Sequence, residues 1–321
     1  MPTSESARLP AARAAASAGE SGQSIKAARL VGLVLAVLGA IAFSGKAIIV
    51  KLAYRHGVDA VTLIMLRMLF ALPVFLLMAW WAGRGQRALT RRDWLGVLGL
   101  GFSGYYLSSF LDFAGLAYIS ASLERLILYL NPTLVVIFGW VIYGQGINRG
   151  QMFGMLLSYC GVLLVFGHEV GAQGSQVALG SLLVFASAVS YAIYMIYSGE
   201  MVKRLGGLRL ASLATSVACV LCIVQFLLLR PVQIPAVSPQ VLWLSLLNAM
   251  LCTAAPVIMV MLAIERIGAG MTAQIGMIGP LSTILMGVWL LDEPFSIWMV
   301  FGTALVMGGI FAFTQLARRP L

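Results

Sequence analysis

Five ionisable side chains stand inside apolar stretches of the chain: Lys46, Arg67, Asp112, Glu124 and Arg125. A charge held in hydrocarbon is costly unless it is paired or faces a water-filled cavity, so such residues mark solute or ion pathways by default. Lys46 and Arg67 have the chemistry to hold an anion or a carboxylate. Asp112 and Glu124 are the groups there able to take up and release a proton, which makes them coupling candidates, with Arg125 beside them in the same network. Three cations against two carboxylates favour an anionic or zwitterionic solute. The competing reading is structural: mutual ion pairing that fixes the bundle, with Glu124 or Arg125 snorkelling to the interface.

Uncharged polar residues add a lining. Tyr105, Ser108, Ser109 and Asp112 recur at i, i+3, i+4 and i+7, one face of a helix. Ser187, Ser190, Tyr191, Tyr194 and Ser198 form a second stripe, Asn248 and Cys252 stack in a third stretch, and Gln274 follows Thr272 in a fourth. Asn131 adjoins Pro132. Taken together, Lys46, Arg67, Tyr105, Ser109, Asn131, Tyr191, Tyr194, Asn248 and Gln274 are the expected substrate-binding set. Pro132 and Pro280 each free a backbone carbonyl one turn earlier and are expected to bend their helices.

Other chemistries lack their residues. The sequence has two histidines, His56 and His168, far apart, and neither an H-E-x-x-H nor a Ser/His/Asp set suggests itself, so no enzyme is expected. Cys219 and Cys222 form a C-x-x-C in an apolar run without a second ligand pair, so no metal is expected, and no cofactor. Gly45-Lys46 resembles the end of a phosphate-binding loop, but Ala40 stands where that loop needs glycine.

Elements that position these residues must be membrane helices. The 321 residues are 61% hydrophobic and 10% charged, with mean hydropathy +0.97. Soluble domains run near 45–50% apolar and about 25% charged, so the lipid bilayer is part of the solvent. The net charge of +10 lies in short loops between apolar runs, which argues against nucleic acid. Apolar runs bounded by turns and charges give spans at roughly 29–50, 58–81, 94–117, 121–143, 150–167, 178–198, 209–229, 240–263, 268–291 and 297–316. Residues 1–28, rich in Ala, Ser, Gly and Arg, contain no apolar core of a secretory signal and are expected to be a disordered cytoplasmic tail.

Lys and Arg give the orientation. With the N-terminus inside, 15 of the 21 fall in inner segments, Lys51, Arg55 and Arg230 in outer loops, and Lys46, Arg67 and Arg125 within spans. Both termini are therefore expected to be cytoplasmic. All five intramembrane charges then share the outer half of the bilayer, Lys46 and Asp112 about 9 Å beyond their span midpoints.

The chain also repeats itself. Pro132 and Pro280 are 148 residues apart (280 − 132), and at that offset Gly139 meets Gly287, Gly154 meets Gly302, Gly161 meets Gly309 and Gly32 meets Gly180. Trp94 and Trp243 differ by 149. Five spans is an odd number, so the second unit must enter the membrane inverted. The expectation is an all-α integral membrane protein of ten transmembrane helices in two inverted five-helix repeats, 29–167 and 178–316. That plan is common among secondary transporters, with the solute site near midplane between the repeats.

The duplicated unit, with Leu130-Asn131-Pro132-Thr133-Leu134 in one copy and Ile278-Gly279-Pro280-Leu281 in the other, resembles the ten-helix EamA-type members of the drug/metabolite transporter superfamily. In that family each such helix ends in a Gly-Glu-like signature. The second copy here reads Leu291-Asp292-Glu293-Pro294, whereas the first has Gln145 in place of the acid. The resemblance implies a multi-pass transporter of a bacterial inner membrane, moving small metabolites, amino acids or drugs through a cavity lined by the first, third, fourth, sixth, eighth and ninth helices. The expected function is secondary transport of a small metabolite by alternating access. A passive channel, a lipid-handling protein and, more remotely, a membrane-embedded enzyme are the alternatives. The oligomeric state is left open; a monomer would suffice.

Overall fold

The computed structural model describes residues 8–144, 146–230 and 237–316, with side chains from residue 28 onward. Its elements are helices α1 (Arg8–Tyr54), α2 (Ala60–Gly83), α3 (Arg91–Leu100), α4 (Ser108–Leu116), α5 (Ala121–Leu128), α6 (Asn131–Tyr143) and α7 (Arg149–Gln173), then α8 (Gln176–Leu205), α9 (Gly207–Leu229), α10 (Pro239–Ala249), α11 (Ala255–Ile267), α12 (Ala269–Gly276), α13 (Gly279–Leu291) and α14 (Ile297–Leu316). Two π-helical stretches, Gly101–Leu107 and Met250–Ala254, join α3 to α4 and α10 to α11. Among the described residues nine helical segments are long and apolar enough to cross a membrane. The tenth span, α3 through α4, carries the stripe of Tyr105, Ser108, Ser109 and Asp112, which lowers its hydropathy. Backbone groups in lipid must bond within their own segment, which is why helices alone fill this role here.

The offset of 148 extends to the element limits. α5 and α12 begin at Ala121 and Ala269, α6 and α13 at Asn131 and Gly279, α7 and α14 at Arg149 and Ile297. Even the helix ends match: Gly144 and Asp292 take left-handed conformations, φ 65° and 58°, as the C-caps of α6 and α13. The π stretches start at Gly101 and Met250, separated by the same 149 as Trp94 and Trp243.

Two expectations need correction. Pro132 and Pro280 do not bend continuous helices. The fourth and ninth spans are broken at Tyr129–Leu130 and Met277–Ile278, and each proline sits in the first turn of the helix that follows. A proline in the first turn gives up an N–H that has no intrahelical partner there, so it starts a helix at little cost. Residues 8–27, expected to be disordered, continue α1; their alanine content favours helix. Gln145 lies outside the described residues.

Packing follows small residues, since lipid removes the hydrophobic drive between helices. α7 and α14 meet along a glycine seam. A Cβ on Gly154 would stand 2.6 Å from the Gly309 carbonyl oxygen, and one on Gly161 would stand 2.6 Å from that of Gly302. The largest apolar cluster joins α1, α2, α4, α9 and α10 through residues such as Ile48, Leu63, Phe75 and Phe113.

Candidate functional site

A cavity of about 380 Å³ lies among helices of both repeats. Helix α1 presents Lys46, α2 Arg67, the third span Tyr105, Ser109 and Asp112, the fourth Arg125 and Asn131, and α8 Tyr191, so eight residues of the expected binding and ion-pair sets line it, with Ser108, Ser187 and Cys252 of the polar stripes. Both π stretches reach it, through Gly104 and Tyr105 in one copy and Cys252 and Thr253 in the other. A π turn widens the helix and re-aims its side chains, and such turns concentrate at functional sites.

The charges divide into a paired group and a lone cation. Lys46 Nζ donates to Asp112 Oδ2 at 2.5 Å and lies 3.4 Å from Glu124 Oε1, while Arg125 Nε stands 3.9 Å from Glu124 Oε2. One ammonium thus bridges two carboxylates that are almost wholly buried, with Arg125 completing a balanced set. Arg67 is 7% exposed, and among the described residues no carboxylate lies within ion-pair distance of it. Its Nε donates to Thr253 Oγ1 at 3.0 Å, its Cζ lies 5.1 Å from the Phe113 ring centroid, and one terminal nitrogen has no hydrogen-bond partner. Asp112 Oδ1 and Asn131 Oδ1 are likewise without a hydrogen-bond partner. A buried guanidinium with an idle donor has the chemistry to hold an oxyanion.

The cations of the first repeat rest on neutral groups of the second. Besides the Arg67–Thr253 bond, Arg125 Nε donates to Thr283 Oγ1 at 3.1 Å. The two helix breaks also touch: Tyr129 Oη donates to the Gly276 carbonyl at 2.8 Å, and Ser44 Oγ to that of Gly279 at 2.8 Å. Pro280 offers no N–H to the Gly276 carbonyl one turn earlier, and Tyr129 of the first repeat supplies the donor instead.

Three expected residues stand away from the cavity wall. Tyr194 lies behind it, its hydroxyl 3.1 Å from that of Tyr105. Asn248 is buried and donates weakly to the Lys46 carbonyl at 3.4 Å. Gln274 is exposed on α12, outside the lining; the break after Gly276 turns that short helix independently of α13. Conversely, Phe43, Tyr129, Thr215 and Thr253 line the cavity without having been expected to.

Around the start of α5, contacts run both between the repeats and within the first half of the chain. Glu293, in the loop after α13, accepts from Ala121 N at 2.7 Å and Ser122 Oγ at 2.8 Å, capping α5. Glu169 accepts from Ser120 Oγ, Lys51 donates to the Ile119 carbonyl at 2.9 Å, and Arg55 donates to that of Leu291. Arg204 pairs with Asp93 at 2.7 Å. The Thr90 hydroxyl and amide hold the Asp93 carboxyl below its ordinary value, and Arg204 adds to this.

The EamA-like transporter family model matches residues 30–167 and again 178–315. The chain belongs to the EamA-like transporter family. Two proteins of Bacillus subtilis (strain 168) are similar to this EamA-like chain over most of their length. The uncharacterized transporter YcbK is 27% identical over 87% of this chain and 90% of its own, and the uncharacterized transporter YetK 24% identical over 90% and 89%. A solved crystal structure matches with a TM-score of 0.61 at 21% identity, covering 92% of this chain and 98% of the other, which shows the shared fold. The protein is a multi-pass membrane transporter of two EamA repeats, within the drug/metabolite transporter superfamily.

Proposed function

We propose that this EamA-like protein is a secondary carrier for a small anionic or zwitterionic solute bearing a carboxylate, such as an amino acid or a related compound. The observation that carries the proposal is Arg67: a buried cation on the cavity wall, held by Thr253 and stacked near Phe113, with no carboxylate of the described chain to neutralise it. A solute carboxylate would satisfy its idle donor. Lys46, Asp112, Glu124 and Arg125 form a set of two cations and two anions beside it, and protonation of either carboxylate would free Lys46 or Arg125 for the solute. Asp112 and Glu124 are therefore the coupling residues of this reading. Two inverted repeats that share their element limits support alternating access, because exchanging their conformations moves the opening from one side to the other. The excess of Lys and Arg in alternate loops supports cytoplasmic termini, and the bacterial relatives support an inner-membrane location.

The test is counterflow in proteoliposomes preloaded with unlabelled amino acids and small carboxylic acids, reading uptake of the same compounds in isotope-labelled form by mass spectrometry. A carrier gives saturable uptake that preloading accelerates. Uptake linear in concentration and indifferent to preloading would mean a passive channel. Neutral solutes crossing as well as carboxylates would remove Arg67 from solute recognition.

A further inference from the structure

Helices α2 and α9 are repeat counterparts packed antiparallel, and the two ends of their seam differ in charge. Each helix has arginine as its C-cap, Arg84 for α2 and Arg230 for α9. At one end the α9 C-cap is neutralised: Arg230 lies 3.5 Å from Asp59, which is the N-cap of α2 and accepts from the amides of Val61 and Thr62. At the other end the N-cap of α9 is Gly206, which has no side chain, so the counterpart acid is missing. Among the described residues neither Arg84 nor the nearby Arg209 has a carboxylate partner. Asp93, the acid that pairs within these loops, is taken by Arg204 at 2.7 Å.

Those two guanidinium groups line one pocket of about 390 Å³ with Ala79, Trp80, Leu89 and Leu213. Arg84 lies over the Trp80 ring, 3.7 Å from its centroid, and Arg209 donates to the Arg87 carbonyl at 3.1 Å, so both are oriented while most of their donors remain free. Trp80 and Trp81 are exposed, as expected of an aromatic belt at headgroup depth.

We propose that this pocket binds the phosphate of an anionic phospholipid, whose acyl chains run along the exposed apolar side of the α2–α9 seam. The lipid takes the place of the carboxylate that Asp59 provides at the opposite end, and the charge of the surrounding loops, with Arg87, Arg91 and Arg92, assigns it to the leaflet on that side. A free phosphate ion would satisfy the same guanidinium groups but would leave the apolar wall and the headgroup depth without purpose.

Native mass spectrometry of the full-length protein in detergent tests the site, with added phosphatidylglycerol, phosphatidylcholine or inorganic phosphate. Wild type should retain phosphatidylglycerol over phosphatidylcholine by about fivefold or more. Replacing both Arg84→Gln and Arg209→Gln should bring the two lipids to parity, while Arg91→Gln with Arg92→Gln, cations in the first turn of α3 outside the pocket, should keep the preference. Arg84→Glu supplies an acid beside Arg209, and should melt no lower than wild type in detergent yet gain nothing from phosphatidylglycerol. A preference that survives the double substitution or Arg84→Glu would overturn the proposal, as would equal retention of both lipids by wild type. Protection from melting by inorganic phosphate alone, equal to that by phosphatidylglycerol, would overturn the lipid assignment.

Discussion

The two repeats share a scaffold and differ in chemistry. Counterpart helices begin 147 or 148 residues apart in most cases, and both repeats break one span before a proline and pass through a π turn in another. At the same offset the charges vanish: Lys46 corresponds to Tyr194 and Glu124 to Thr272. Among the described residues the first repeat supplies every ionisable group lining the central cavity, and the second supplies hydroxyls that hold two of them, Thr253 for Arg67 and Thr283 for Arg125. Under the proposed carrier function, duplication would give the motion its symmetry, while divergence would let the solute be gripped from one side. A symmetric site would need to bury twice the charge, each ion costing several kcal/mol in hydrocarbon.

The comparison breaks most sharply at Lys46. Lys46→Gln leaves Asp112 and Glu124 buried without their shared cation, and we expect a loss of roughly 3–5 kcal/mol in thermal unfolding of the purified protein. Adding Asp112→Asn should recover part of it. A melting curve unchanged by Lys46→Gln would mean the network is not built around that ammonium. The scaffold, by contrast, should respond equally in both copies. Gly154→Leu and its counterpart Gly302→Leu each force a side chain onto backbone of the partner helix, and both should cost roughly 1–3 kcal/mol or more. Very unequal losses would count against a symmetric seam. Tyr194→Phe, at the counterpart of Lys46, removes one hydroxyl contact with Tyr105 and should cost about 0.5–1.5 kcal/mol.

The smallest effect lies at the Asp59–Arg230 end of the α2–α9 seam. Burial pulls the Asp59 carboxyl up, but hydrogen bonds from Thr62 and the charge of Arg230 outweigh it, so its pKa is lowered from 3.8. Its stabilisation is therefore present at neutral pH and lost as the pH falls through that lowered value. The pair is half exposed, so Asp59→Asn should cost only about 0.2–1 kcal/mol at pH 7 and nothing well below the carboxylate range. Equal cost at both pH values would show that charge is not what Asp59 contributes.

Much of this was legible in the sequence because lipid imposes long apolar runs and because a 148-residue register survives in Gly and Pro. The charges were legible for the same reason: an ion in an apolar run has few explanations. The helix breaks were not, since proline is compatible with both a bend and a fresh start, and tertiary donors such as Tyr129 and Ser44 decide between them. The π turns at Gly101 and Met250 leave no periodicity signal. Thr253 and Thr283 were passed over because a lone threonine in a helix commonly bonds its own backbone; both do so here, to Asn248 and Gly279, while also accepting from arginine. Gln274 stands outside the cavity lining, and polarity in an apolar run does not say which way a short helix turns.

Arg67 is the most direct point of attack on the solute site. Counterflow of labelled amino acids and small carboxylates should fall at least about tenfold in Arg67→Gln, the worth of one charge-assisted hydrogen bond. Gln274→Ala, outside the cavity, should keep wild-type flux. Wild-type uptake by a folded Arg67→Gln protein would contradict a carboxylate site built on that guanidinium.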